Sequence, residues 1–105
     1  MDVTVNYTKN FSYDPHVFLV LDDNILEIKN FTETFSVDKV SAIFQVKVII
    51  LCENFVCKYE FYKIPRTAFI DLKLWGHFDF PNVSINDKQS FTSKSTPRNC
   101  WCILL

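Results

Sequence analysis

The chain has 105 residues, 11 Lys+Arg against 12 Asp+Glu, and a single glycine, Gly76. Phosphate-cradling loops, dinucleotide fingerprints and strained nucleophile elbows each need two or more glycines, where backbone must approach a ligand or take a positive φ. All three are excluded. A formal net charge of −1 argues against nucleic acid as a partner, and the length suits one domain with a core of its own.

Apolar residues at 49% and charged residues at 22% mark a folded globular chain and not a disordered one. Eleven phenylalanines, with alanine only at Ala42 and Ala68, favour strands over helices. Residues 1–15 are mixed and polar, ending at Asp14-Pro15. Val17 to Leu21, then Asp22-Asp23-Asn24, then Ile25 to Lys29 reads as strand, tight turn, strand; Asp and Asn tolerate the left-handed backbone that glycine would otherwise supply. Residues 30–39 are a polar connection with a short strand expected at Phe35 to Val37.

The clearest hairpin joins Ile43–Cys52 to Phe55–Tyr62. With its turn centred between Asn54 and Phe55, the pairs are Cys52/Cys57, Ile50/Tyr59 and Val48/Phe61, and one face is wholly apolar. Proline donates nothing to a ladder, so residues 63–67 are expected outside any central strand. Ala68, Ile70, Leu72 and Leu74 then alternate inward, a parity that continues through Gly76 to Phe78 and Phe80, with Gly76 marking a bulge or bend. No stretch sustains a 3.6-residue apolar period. The expected fold is all-β, an antiparallel β-sandwich of about six to seven strands, C2-like or immunoglobulin-like, over residues 1–81. Residues 82–99 read as a polar, mildly basic linker, and residues 100–105 as a separate cysteine-containing segment.

Two sets of motifs point to opposite compartments. The terminal Cys102-Ile103-Leu104-Leu105 is a C-a-a-X box; its final leucine favours geranylgeranyl on Cys102, with Cys100 available for palmitate as the second anchor. Lys88, Lys94 and Arg98 add a weak attraction to an anionic leaflet. Against this stand four N-glycosylation sequons at Asn6, Asn10, Asn30 and Asn82, where chance would place about one. The opening Met1-Asp2-Val3-Thr4-Val5-Asn6 lacks a basic or apolar run, so no secretory signal is expected. The expectation is therefore a cytosolic, membrane-associated chain, with secretion as the alternative.

In an oxidising compartment Cys52 and Cys57 could form a cross-strand disulfide; otherwise they read as two small buried hydrophobes. Their C-x4-C spacing and the C-x-C of Cys100 and Cys102 do not fit a zinc site. His16 and His77 are tied to no serine, cysteine or carboxylate by a recognisable motif, and Asp22-Asp23 reads as turn chemistry. No catalytic residue, metal, cofactor or small-molecule substrate is expected.

The segment from Lys63 to Trp75 resembles the stretch of phosphoinositide 3-kinase C2 domains that runs leucine-proline-arginine-x-alanine into an apolar strand. Pro65, Arg66, Ala68, Leu72 and Trp75 carry the likeness, and Phe44 to Val48 is similar to an earlier strand of that fold. The resemblance implies a calcium-independent membrane-facing or scaffolding module. The leading expectation is a non-catalytic β-sandwich interaction module at a cytosolic membrane surface, tethered by prenylation, with a protein partner, a membrane surface or both as its target. The rival is a secreted or viral immunoglobulin-like glycoprotein domain that binds a partner protein. In a third arrangement, residues 101–105 are simply a last strand.

Overall fold

A computed structural model describes residues 1–98, and of Tyr62 the backbone alone. The described residues form ten strands: β1 (Asp2–Lys9), β2 (His16–Leu21), β3 (Asn24–Ile28), β4 (Thr32–Ser36), β5 (Ile43–Leu51), β6 (Phe55–Pro65), β7 (Phe69–His77), β8 (Phe80–Ile85), β9 (Lys88–Gln89) and β10 (Thr92–Pro97). They make two five-stranded sheets, ordered β4-β1-β7-β8-β9 and β10-β6-β5-β2-β3. The all-β sandwich expected from the sequence is the fold observed. One pair departs from the antiparallel rule: β1 runs parallel to β7.

Period-two alternation builds the core. Val3, Val5 and Tyr7 of β1, and Ile70, Leu72 and Leu74 of β7, point inward from the first sheet. Val17, Leu19 and Leu21 of β2 meet them from the second, with Phe44, Val46, Val48 and Ile50 of β5 and Tyr59, Phe61 and Ile64 of β6. Each such side chain, fully buried, contributes about 1.5–3 kcal/mol of transfer free energy. The Tyr7 hydroxyl is buried without a hydrogen-bond partner among the described residues, and burial, then the charge of Asp14, pushes its pKa up to about 12. Tyr7→Phe removes an unpaid desolvation and is expected to be no less stable than wild type, gaining up to about 1 kcal/mol in urea melts; a clear loss would mean that the hydroxyl has a partner.

Several sequence expectations are corrected. The polar start contains a full strand, β1, because Val3, Val5 and Tyr7 alternate into the core. The short strand after residue 30 is β4, beginning earlier than expected. The central hairpin turns one residue sooner: Ile50 faces Cys57, Val48 faces Tyr59 and Val46 faces Phe61. A slip of two residues keeps every side chain on its expected face, so the burial assignment survives while the partners change. Pro65 ends β6 beyond Glu60, where β10 stops pairing, so that flank of the strand needs no further donor. Ala68 is exposed, and the chain reverses at Phe78-Asp79, so Phe80 opens β8 and does not extend β7. Gly76 has φ +96°, and a Cβ there would lie 2.8 Å from the Asn82 side chain. Residues 82–97 are not a linker: Val83 and Ile85 are core, and β10 pairs with β6 from Thr92↔Glu60 to Pro97↔Phe55.

Turns manage without glycine. Asn86 and Asp87, both at positive φ, close β8 onto β9, and Asp22 takes φ 53° between β2 and β3. Asp22 also pins a register shift in β5. Its carboxyl accepts the Gln45 and Ser41 N–H groups, each at 2.9 Å, and the Ser41 hydroxyl at 3.2 Å. Burial would raise its pKa, but these hydrogen bonds outweigh burial and hold the carboxyl below its ordinary value. A depressed folded pKa means that the stabilisation is complete above the unfolded value, about 3.9, and disappears as pH falls through the folded one. Urea midpoints are expected to fall less in Asp22→Asn than in wild type between about pH 6 and about pH 2; parallel curves would contradict this role.

Candidate interaction face

The outer face of the second sheet forms a grid fixed by strand register. One row runs Thr96, Val56, Leu51, His16; the next Lys94, Lys58, Ile49, Phe18, Glu27; the third Thr92, Glu60, Lys47, Val20, Ile25. Val56, Leu51, Ile49, Phe18, Val20 and Ile25 therefore make a continuous apolar diagonal across four strands. No described strand lies over it: both sheets' members are accounted for, Val56 at its upper end is buried, Phe18, Val20, Ile49 and Leu51 are half-buried, and Ile25 is 70% exposed.

Charge is sorted on either side of this band. Lys47, Lys58, Lys94 and Glu60 occupy one corner, while His16, Glu27 and Lys29 occupy the other. The pairs within the face are loose, with Lys58–Glu60 and His16–Glu27 each at 4.0 Å and Lys29–Glu27 at 3.7 Å. Exposed pairs of this kind contribute little to stability. An apolar centre with a charged rim is the usual anatomy of a protein-binding surface.

The cysteines belong elsewhere. The Cys52 N–H bonds the Phe55 carbonyl at 2.9 Å, closing the hairpin around Glu53-Asn54, so Cys57 is diagonal to Cys52 and not directly opposite. Both are buried free thiols with Sγ atoms 3.9 Å apart. The hydrogen bond that Cys52 donates to Cys57, together with burial, pushes the Cys52 thiol far above its ordinary range; such a thiol is a poor nucleophile. Around them three segments are knotted together. Asp79, 5% exposed, accepts the Asn54 N–H at 3.1 Å and its side-chain amide at 2.8 Å, and its own N–H donates to His77 Nδ1 at 3.1 Å. Arg98 donates to the Cys52 carbonyl at 3.0 Å. Burial first, then the neighbouring Cys57, pushes Tyr59 up, and its hydroxyl bonds the Pro81 carbonyl.

The four sequon asparagines are all exposed, and all belong to the first sheet or to loops entering and leaving it. Asn6 lies on β1 and Asn82 on β8, Asn10 just follows β1, and Asn30 just precedes β4. None lies on the outer face of the second sheet. Cys100, Trp101, Cys102, Ile103, Leu104 and Leu105, which carry the expected lipidation or last strand, lie outside the described residues. His16 is exposed at the face; His77 is exposed beside Phe78. Among the described residues no group of three or more His, Cys, Asp or Glu is placed to hold a metal ion, and no helix is long and apolar enough to cross a membrane.

Fold and surface together define a two-layer β-sandwich with a partly exposed apolar diagonal on the outer face of one sheet. No protein family, curated protein or solved structure matches the chain.

Proposed function

We propose that this chain is a non-catalytic β-sandwich interaction module that works through the outer face of its second sheet. The observation that supports it is the apolar diagonal from Val56 to Ile25, set between charged corners. The buried Asp79 carboxyl spends its hydrogen bonds on joining loops, as expected of scaffold and not of a reacting group. The likeness of residues 63–75 to C2 domains fits an interaction role. On sequence grounds the module works at a cytosolic membrane surface, tethered through Cys102 and Cys100. The described chain ends at Arg98, whose N–H bonds the Asn54 carbonyl, near the Leu51 and Val56 end of the face.

The secreted-glycoprotein reading is favoured by one fact: glycans on Asn6, Asn10, Asn30 and Asn82 would leave the same face free. Intact mass of the full chain from eukaryotic cells separates the two. A prenyl-sized increment lost in Cys102→Ser, with release from the membrane fraction, is expected of the tethered module; increments removed by an N-glycosidase would establish the glycoprotein instead. In either case, in-cell cross-links to a partner should vanish in Ile49→Lys while the thermal midpoint holds. Cross-links indifferent to Ile49 would refute the face.

A further inference from the structure

We propose that the apolar diagonal is an isologous interface, and that its partner is a second copy of this chain with its sheet crossed at about a right angle. The inference rests on the reading of this face as the working surface and names what it binds. Neighbouring strands are about 4.8 Å apart and successive same-face residues about 6.8 Å apart along a strand. On that grid the band from Val56 to Ile25 descends one row for about every strand and a half, and so runs at roughly 45° to the strands.

A two-fold axis lying along the band, in the plane of the face, lays the band of one copy on that of the other. Reflection across a line at roughly 45° turns the strands by about 90°, which is one of the two favoured ways for sheets to pack. An axis across the band would also superpose the apolar residues, but would place the lysine corner on its own copy. Charge therefore selects the axis along the band.

Under that operation Glu27 of one copy falls beside Lys47 of the other, and Lys29 falls over Glu60. Each contact occurs twice, as isologous symmetry requires. Phe18 and Ile49 sit at the centre, away from water, where an interface gains most of its energy. The molecule measures 36 × 28 × 22 Å, so two copies crossed at a right angle overlap over a square no wider than 28 Å, the order of the ~800 Å² per partner of a standard interface.

Sedimentation equilibrium of the full chain, from a few micromolar to about 100 µM, tests this directly. The expected mass is twice 12.4 kDa at the upper end. Ile49→Lys should leave only the single chain, and the milder Ile49→Thr should weaken association at least about tenfold, with thermal midpoints near wild type. Glu27→Lys and Lys47→Glu should each weaken the dimer, and the double variant should recover it, because the exchanged charges meet again across the axis. A single chain at the highest concentration, a dimer indifferent to Ile49→Lys, or no recovery in the double variant would overturn the proposal. A single chain that instead sediments with phosphatidylserine vesicles, and loses this in Ile49→Lys, would also overturn it while leaving the face as the working surface.

Discussion

Leu19→Ala is expected to lower the unfolding free energy by about 2–5 kcal/mol, whereas Val20→Ala, one residue on, costs under about 1 kcal/mol. Leu19 is fully buried between Leu26 and Val48 in the middle of the second sheet. Truncation there loses the transfer free energy of the removed atoms and leaves a cavity that both sheets must collapse to fill. Val20 points the other way, between Ile25 and Lys47, and is partly exposed to solvent, so its truncation leaves no closed cavity. For a chain whose total stability lies near 5–15 kcal/mol, the first change approaches the threshold for folding and the second does not. Urea midpoints of the two variants measure the contrast. Equal losses, or a reversed order, would mean that the alternation of β2 is misassigned, and the outer diagonal would go with it.

That alternation was legible in the chain because side-chain period is a local property. Cys57, Tyr59 and Phe61 face one way and Lys58 and Glu60 the other in any hairpin that preserves parity, so the core of β6 could be read without its true partners. The register could not, since a two-residue slip changes each partner and no face. Val83 and Ile85 were hidden by the polar residues around them. β10 was hidden more deeply: Thr92 to Pro97 bury almost nothing and are held to β6 by backbone pairing alone. Its lysine and proline suit an edge strand that discourages further pairing. The interaction face was illegible for a related reason. Phe18 and Val20, like Ile49 and Leu51, sit inside continuous apolar runs, and parity turns them outward without showing that they adjoin. Only the pairing of Phe18 with Ile49 across non-local strands lines their outward halves into a diagonal.

Asp79→Ala is expected to cost about 1–3 kcal/mol and to speed thiol labelling of Cys57. The Asp79 carboxyl takes both hydrogen bonds that Asn54 offers, from the backbone at 3.1 Å and the side chain at 2.8 Å, tying the β5–β6 turn to the β7–β8 turn. The Cys57 thiol donates to the Asp79 carbonyl at 3.2 Å, and Phe55 packs on Phe80 with ring centroids 4.4 Å apart, so the same two turns also shield the thiol pair. Removing the carboxyl leaves the backbone carbonyl in place, so labelling reports the loosening of the turn and not loss of the thiol's own hydrogen bond. Asp79→Asn keeps one acceptor for the Asn54 N–H but turns a second donor toward the Asn54 amide, and should fall between wild type and alanine. Labelling with a disulfide reagent under native conditions, alongside urea melts, checks both effects. Unchanged stability with unchanged labelling would show that this buried carboxyl is not holding the two turns together, and would reopen it as a candidate for chemistry. Because Leu51 lies one residue from Cys52, a loosened turn should also weaken association through the face, but by less than Ile49→Lys, which strikes its centre.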